Sequence, residues 1–255
     1  MSDADAPSVS TSLRPLPHLD DEPVTRWLCR GLSALARRRV VSLEGVEHVA
    51  PELDPFLLAS NHSQRLEAVL LPAFLVWHRY GRLLHFFGDW PMMMVPGVGL
   101  IYRHSGIIPV ATKSARFKVL DMLRPLYCPP TPAVDRARDL LAQGRSVGVF
   151  PEGTMNRHPR QLLRGRLGCA RLAIDAGVPV VPMGIRFPSN DGRAPISDFD
   201  TIAVRIGPPL TPPTGAGRSA DVRSFHEQVM NEIAQLCDKS WSPKAPRRKQ
   251  DVDAR

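Results

Sequence analysis

Two hydrophobic patterns alternate along the chain. Short runs rich in apolar and β-branched residues predict strands, and stretches in which apolar residues recur every three or four positions predict helices. The predicted strands are Val40–Glu44, Pro55–Ser60, Leu83–Phe87, Ile107–Val110, Ser146–Phe150, Val178–Ile185 and Thr201–Ile206. The predicted helices are Gln64–Tyr80, Ser114–Leu126, Ala133–Gln143, Gly165–Ala176 and Asp221–Asp238. This alternation predicts an α/β fold, with a mixed, largely parallel sheet of about seven strands covered by helices.

A further helix is predicted near the N-terminus, from Val24 to Arg39. Its apolar residues share one face, and arginines flank that face. The apolar residues are Trp27, Leu28, Leu32 and Leu35, and the arginines are Arg26, Arg30, Arg37, Arg38 and Arg39. An apolar stripe with a basic border is typical of a helix at an anionic membrane surface, and equally of an ordinary helix packed on its own domain.

Composition divides the chain into three parts. Residues 1–21 are polar and acidic and predict a disordered leader, whereas residues 241–255 are rich in proline and charge and predict a flexible basic tail. Residues 22–240 hold the predicted elements and form one domain, with 22–39 as its amphipathic segment. The chain has 255 residues, of which 43% are hydrophobic, enough for one sizeable core.

Charge and hydropathy limit the possible surroundings of the protein. The leader lacks a signal-peptide pattern, and the longest apolar runs, Val69–Trp77 and Pro91–Ile101, are shorter than the ~20 residues that cross a bilayer. We therefore expect an intracellular protein that does not cross a membrane. The net charge of +8 favours anionic partners, such as nucleic acid, acidic lipid headgroups or phosphorylated substrates. Nucleic acid is disfavoured because the basic residues are scattered and aromatic residues make up only 6%.

The cysteines do not indicate a metal or disulfide framework. They are Cys29, Cys128, Cys169 and Cys237, with no CxxC pair and no neighbouring histidine cluster. This pattern predicts free thiols in a reducing compartment and no metal site.

A histidine and an acid follow the second predicted strand, in the segment Asn61–Glu67, which reads NHSQRLE. A histidine can take a proton from an alcohol, and a carboxylate that fixes its tautomer makes it a better base. This is the base-and-orienter arrangement of the serine-protease triad, without the protein nucleophile. On spacing alone, His62 is equally compatible with a capping or surface residue.

Three further segments combine strand ends with unusual residues. Val149–Thr154 (VFPEGT) places Glu152 and Gly153 directly after a strand, and Gly97–Arg103 (GVGLIYR) joins two glycines to an arginine that can hold a phosphate or carboxylate. Gly177–Gly184 (GVPVVPMG) flanks a β-branched pair with prolines. Taken singly, these segments are also compatible with a solvated turn, a surface arginine and a strand with constrained ends.

Together and in this order, the four segments resemble the sequence blocks of the glycerolipid acyltransferase family, which includes bacterial 1-acylglycerol-3-phosphate acyltransferases. Those blocks are Asn-His-x4-Asp, Gly-x-x-Phe/Leu-Ile-x-Arg, Phe-Pro-Glu-Gly-Thr and Val-Pro-Val-Val-Pro. The matching residues run from 61 to 184, and Ile107–Val110 and Asp139–Gly144 are also similar to the family.

The resemblance implies a role for each matching residue. His62 would be the general base and Glu67 would orient it. The substrate-binding residues would be Asn61, Gly97, Arg103, Glu152, Gly153, Thr154, Arg157, Arg164, Val181 and Pro182. Among these, Arg103, Glu152 and Gly153 would bind the acceptor, Arg157 would bind a phosphate, and residues 178–182 would line the acyl-donor side.

The implied reaction moves a fatty acyl group from acyl-CoA or acyl-carrier protein to a hydroxyl. The acceptor would be a lysophospholipid, foremost 1-acylglycerol-3-phosphate, which would give phosphatidate in phospholipid biosynthesis. No cofactor is implied. The enzyme would work from the cytoplasm, peripherally on the inner face of the cell membrane, and its partner there would be the anionic membrane surface.

Three positions depart from the family pattern. Glu67 replaces the usual Asp, and its extra methylene can displace the carboxylate by roughly 1.5 Å. The region of Gly88 and Asp89 lacks a Lys that the family often has, and Leu162–Gly165 (LLRG) stands for Phe-Lys-Arg-Gly. These departures leave two alternatives open: an acyltransferase for a different, non-phosphorylated acceptor, such as a glycolipid, an amino lipid or a specialised metabolite, and a non-catalytic lipid-binding protein on the same scaffold.

Overall fold

One seven-stranded sheet organises the chain. The structure, a computed structural model, describes residues 14–111, 118–214 and 219–246. The strands are β1 (Val40–Glu44), β2 (Leu57–Ser60), β3 (His85–Asp89), β4 (Ile108–Val110), β5 (Val147–Val149), β6 (Val180–Arg186) and β7 (Ile202–Ile206). Their order in the sheet is β1-β7-β6-β2-β5-β3-β4. All neighbouring pairs are parallel except β6 and β7. The predicted mixed, largely parallel α/β sheet is confirmed.

Helices cover both faces of this sheet. They are α1 (Pro23–Ala36), α2 (Glu67–His78), α3 (Val98–His104), α4 (Arg124–Tyr127), α5 (Ala133–Ala142), α6 (Gly168–Ala176) and α7 (Ser219–Leu236). Residues of α5, α6 and α7 form one core against the sheet, and residues of α2 contribute to a second core on the opposite face. Helix α1 packs outside α2.

Helix α1 contacts α2 through its small side chains rather than its large ones. Thr25, Cys29, Ser33 and Ala36 are buried, and the hydroxyl of Ser33 donates a hydrogen bond to the carbonyl of Ala73, at 3.0 Å. Trp27, by contrast, is 72% exposed. The helix therefore turns part of its apolar stripe outward, and the amphipathic N-terminal segment is present as predicted.

Glycine and proline shape two segments of the fold. The segment Gly97–Arg103, for which no element was predicted, forms most of α3, with Gly97 at the N-terminal boundary of the helix at a φ of 79°. Gly99 is required there because a side chain would collide with the carbonyl of Met93. The predicted helix Ser114–Leu126 is, from Lys118 onward, a 3₁₀ turn followed by the short α4, which Pro125 opens; its first residues lie outside the described residues.

The predicted leader and tail are both too long. Leu16 and Leu19 are buried against Trp77, so the last part of the leader belongs to the folded domain. At the other end, residues 241–246 lie along the segment 160–164, and Ala245 is buried. Residues 1–13 and 247–255, the rest of the predicted leader and tail, lie outside the described residues.

Candidate active site

The histidine loop begins where β2 ends and is fixed there by Asn61. The side-chain amide of Asn61 donates to the carbonyl of Ile185 at 2.9 Å and accepts from its N–H at 2.7 Å. The side chain of Asn61 thus continues the hydrogen bonding between β2 and β6 beyond the end of β2. Asn61 is only 1% exposed. Because both of its polar atoms bond to Ile185, Asn61 positions the loop. The prediction that it also binds substrate stays a prediction.

His62 and Glu67 form the predicted pair. His62 Nδ1 lies 2.8 Å from Glu67 Oε1, and the same oxygen accepts a short hydrogen bond from the backbone N–H of Ser63. A carboxylate accepts hydrogen bonds, so it favours the tautomer with the proton on Nδ1 and leaves Nε2 free as a base. Glu67 opens helix α2 and is buried, whereas the His62 side chain keeps 18% of its surface. The extra methylene of Glu67 therefore does not separate the pair.

The loop after β5 supports the ring of His62 from the neighbouring strand. The rings of His62 and Phe150 stack with their centroids 4.6 Å apart. The N–H of Asn156 donates to the carbonyl of His62 at 2.7 Å. Since β2 and β5 are parallel neighbours, their carboxyl ends meet at one edge of the sheet, the usual place for ligands in such folds.

Glu152 lies inside this loop rather than at its surface. Its Oε2 accepts hydrogen bonds from Asn156 Nδ2 and from the N–H of Leu163, both at 2.8 Å. Burial raises the pKa of Glu152, and these two donors together with the charge of Lys239 oppose that rise. With 3% exposure, Glu152 organises the loop. Its contact with the acceptor stays a prediction. Gly153 is exposed, at a φ of 67°, and Arg166 covers the place of its missing side chain; Thr154 beside it is half-buried.

Arg157, the predicted phosphate ligand, is paired within the protein, and its binding of a phosphate stays a prediction. Its guanidinium donates to Asp198 Oδ2 and to the carbonyl of Ile196, both at 2.6 Å. Arg103, on the last turn of α3, and Arg65, in the loop after His62, are exposed. Neither of these guanidinium groups has a hydrogen bond or an ion pair with the residues that the structure describes, so both remain available to an anion.

Val181 and Pro182, which the family resemblance assigns to the donor side, lie inside the sheet, and that role stays a prediction. Both are buried in the middle of β6, and Val181 packs in the core beside α2. Pro179 lies directly before β6, whereas Pro182 lies inside it and pairs with Ala59 of β2. Among residues 14–111, 118–214 and 219–246, no group of histidine, cysteine and acidic side chains could hold a metal ion.

Two features of the site were not predicted from the sequence. One is an apolar cavity between α1, α2 and α3, which begins directly after Glu67 at Ala68 and Val69. The other is a groove of about 400 Å³ between the segment 164–167 and helix α7. We call the second feature the arginine groove; it is lined by Arg164, Arg166, Arg223, His226 and Trp241. Both depend on contacts between distant segments, which a linear pattern does not indicate.

The fold and the pair define an α/β protein with a histidine–carboxylate pair at the carboxyl edge of its sheet, an arrangement typical of general-base chemistry. The chain belongs to the acyltransferase family, whose profile matches residues 40–186. The resemblance to glycerolipid acyltransferases is thereby confirmed.

Individual relatives agree with this assignment. The chain is 27% identical over 201 residues to the chloroplastic 1-acyl-sn-glycerol-3-phosphate acyltransferase LPAT1 of Arabidopsis thaliana, covering 78% of this chain and 49% of that protein. It is also 27% identical over 196 residues to the chloroplastic enzyme BAT2 of Brassica napus, again over 49% of that protein. The chain thus spans about half the length of these curated relatives.

A solved structure shares the fold. The crystal structure of the 1-acyl-sn-glycerophosphate acyltransferase PlsC from Thermotoga maritima superposes with a TM-score of 0.58 at 20% identity, covering 91% of this chain and 87% of that one. Within the described parts of this chain, no helix has the length and apolar content needed to span a membrane.

Proposed function

We propose that this protein transfers a fatty acyl group from a thioester, acyl-CoA or acyl-carrier protein, to the free hydroxyl of a lysophospholipid. The acceptor favoured by the similarity to 1-acyl-sn-glycerol-3-phosphate acyltransferases is 1-acylglycerol-3-phosphate, which would give phosphatidate. The observation that carries this proposal is the 2.8 Å contact between His62 Nδ1 and the buried Glu67, with the ring still partly exposed.

The chemistry follows from that geometry. Nε2 of His62 takes the proton of the acceptor hydroxyl as its oxygen attacks the thioester carbonyl. The carbon–sulfur bond then breaks, and the imidazolium returns the proton to the departing thiolate, so that an ester and a thiol are formed. Glu67 stabilises the imidazolium while the charge is present. No protein nucleophile is needed.

The apolar cavity is the natural place for an acyl chain. It lies between α1, α2 and α3 and is lined by aliphatic side chains that include Leu28, Val69 and Leu84. Because it begins beside Ala68, directly after Glu67, a chain that lies in it would bring its carbonyl end near His62. Burial of each CH₂ group would contribute about 0.8 kcal/mol to binding.

The first test is a direct assay of the purified protein. Acyl-CoA or acyl-carrier protein, incubated with lysophosphatidate, should yield phosphatidate that mass spectrometry identifies. If a folded sample acylates no lysolipid while a control enzyme is active in the same assay, the proposal is wrong.

A second acceptor class is favoured by the charges that this site lacks. In two places where the family often has a lysine, this chain has other residues: Leu163, which is 2% exposed, and Asp89, which ends β3. In addition, Arg157 is paired with Asp198. Each missing charge-assisted contact is worth about 1.5–3 kcal/mol to a phosphate. A non-phosphorylated hydroxyl acceptor would not need them. Acylation of neutral glycolipids or amino lipids with lysophosphatidate left unchanged would decide for this class.

We assign the phosphate-bearing part of the donor to the arginine groove. Arg166 N–H donates to the carbonyl of Pro151, which places the groove beside the loop of Glu152. The guanidinium groups of Arg164 and Arg166 are exposed and have no hydrogen bond or ion pair with the described residues. Trp241 adds an aromatic face. The phosphate groups of the donor would bind the two guanidinium groups there, and the rest of the donor would contact the aromatic face.

The arginine groove gives a prediction about the donor. The double substitution Arg164→Gln with Arg166→Gln should raise KM for the acyl thioester at least about tenfold, since two charge-assisted contacts are lost, and should change kcat little. Arg171→Gln, an exposed arginine on the neighbouring helix α6, is the matched control. Equal KM values in all three proteins would place the donor elsewhere. Parallel assays with acyl-CoA and acyl-carrier protein distinguish the two donors.

An exposed apolar surface supports a peripheral position on a membrane, with the cytoplasmic side of the cell membrane as the proposed location. Trp27, Met122 and Leu126 are 72%, 80% and 77% exposed. These three side chains belong to elements that contact one another in series. Helix α1 contacts α3, α3 contacts the turn 90–94, and that turn contacts α4. Exposed Trp and Leu side chains on helices with flanking arginines are typical of anchoring in an anionic interface.

The membrane surface gives a second prediction. Met122→Glu combined with Leu126→Glu should lower binding to phosphatidylglycerol vesicles by more than about tenfold, because each apolar side chain contributes roughly 1.5 kcal/mol or more when buried in lipid. Cosedimentation measures this. Val134→Glu, an exposed apolar residue on α5, is the control. If the control weakens binding as much as the pair does, the proposed surface is wrong.

A further inference from the structure

Two carboxylates lie buried beneath the histidine. Glu67 is 1% exposed and Glu152 is 3% exposed. Each has one oxygen, Oε2 of Glu67 and Oε1 of Glu152, with no hydrogen bond partner among the described residues. A buried carboxylate that keeps its charge needs a compensating cation, because transfer out of water costs several kcal/mol.

Lys239 reaches the same place from the opposite end of the chain. It follows helix α7, is 7% exposed, and its Nζ donates to Ser63 Oγ at 3.2 Å and to the carbonyl of His158 at 2.9 Å. Ser63 also donates its N–H to Glu67. One small residue therefore contacts both the ammonium and the acid of the pair.

The chain that follows Lys239 is fastened along the site. Ser240 N–H donates to the carbonyl of Arg160, Leu162 N–H donates to that of Ser240, and Arg164 N–H donates to that of Pro246. Because this segment is held by backbone hydrogen bonds, the buried position of Lys239 is fixed by the fold. These residues lie outside 40–186, the part that the family profile matches.

We propose that Lys239 is a positioning residue of the active site: its ammonium balances the negative charge of Glu67 and Glu152 and holds Ser63, so that Glu67 stays directed at His62. The kinetic readout of this role rests on the acyl transfer proposed above. The balance of charge between Lys239 and the two carboxylates can also be measured without turnover, through the stability of the protein.

The other groups around Lys239 do not supply a competing titration at neutral pH. Burial raises the pKa of Cys237 to about 12, so its thiol stays neutral. Burial, Lys239 and Arg160 lower the pKa of His158. For Lys239 itself, burial lowers the pKa, whereas Cys237, Glu152 and Glu67 oppose that change. The charges that remain to interact are those of the two carboxylates, the lysine and His62.

The kinetic test is the pH profile of kcat/KM for Lys239→Met, Lys239→Arg and the exposed control Lys244→Met. Loss of a nearby cation favours the protonated form of titratable groups, both carboxyl and imidazole. The acid limb of the Lys239→Met profile should therefore shift to a pH about one unit higher than in the wild type. Lys239→Arg and Lys244→Met should follow the wild type. A loss that is equal at every pH, or an unchanged profile, overturns the proposal.

The second test measures stability, so it separates a failure of this proposal from a failure of the proposed activity. The folded-state pKa of Glu152 is raised, so stability falls as pH rises from the unfolded value of 4.5 through the folded one. Because the charge of Lys239 opposes the rise in the pKa of Glu152, removal of Lys239 should make this loss of stability with rising pH larger. The Tm deficit of Lys239→Met should therefore grow from pH 5 to pH 8 and shrink when Glu152→Gln is added. A deficit independent of pH and of Glu152 overturns the proposal.

The double variant also covers poor folding of Lys239→Met alone. Glu152→Gln keeps the shape of the side chain and removes the charge that Lys239 balances, so the double variant should fold. If it fails to fold as well, the contribution of Lys239 is independent of the carboxylate, and the proposal is overturned.

Discussion

His62→Ala should lower kcat/KM for acyl transfer by about 10³-fold, because the hydroxyl then has no base to take its proton; general-base catalysis contributes about 10²–10⁴-fold. The substitution should leave the fold intact. The ring of His62 is partly exposed, and its contacts are a stack on Phe150 and the bond to Glu67. Steady-state assays with saturating thioester, beside circular dichroism, measure both effects.

His48→Ala is the matched control, since His48 lies in a 3₁₀ turn after β1 and is only half-buried. Its activity should equal that of the wild type. Full turnover by His62→Ala would exclude His62 as the base. Full biological function without any turnover in either protein would instead support the lipid-binding alternative.

Glu67→Gln is expected to have the second-largest effect, a loss of about 10²–10³-fold in kcat. The amide cannot balance an imidazolium, and its NH₂ group competes for the place where Nδ1–H donates, which favours the wrong tautomer. Substrate binding should change little because Glu67 is only 1% exposed. The measurement is therefore the separate determination of kcat and KM.

Two variants make the Glu67 result specific. Glu67→Asp shortens the side chain by about 1.5 Å while Cα stays fixed at the start of α2, so a loss of about tenfold is expected. Glu47→Gln, an exposed acid, is the control and should have no effect. If Glu67→Gln keeps wild-type kcat, Glu67 does not orient His62, however short their contact.

Much of the fold and the dyad could be predicted from the sequence because both depend on local patterns. The strands alternate with helices, and His62 and Glu67 are separated by a short loop that must turn at the end of β2. The order of the blocks then indicated the family. The Glu67 contact needed no correction, since a loop and a helix start can absorb one methylene.

Three features of the site could not be predicted because they depend on contacts between segments far apart in the chain. Asn61 is polar and beside the base, yet Ile185 takes both of its hydrogen-bonding groups. Arg157 pairs with Asp198, which lies 41 residues away in the sequence. Lys239 lies in a region with no motif, and only the packing of α7 on the sheet brings it to Ser63. Linear spacing contains no signal for such partners.

The central claim, acyl transfer with His62 as the base, is tested most directly by one paired measurement. Thiol release from the acyl thioester is followed together with ester formation on a hydroxyl acceptor, for wild type and His62→Ala. The account predicts equal amounts of thiol and ester from the wild type, and a rate about 10³-fold lower from the variant. Equal rates from the two proteins, or thiol release without any acylated acceptor, would contradict it.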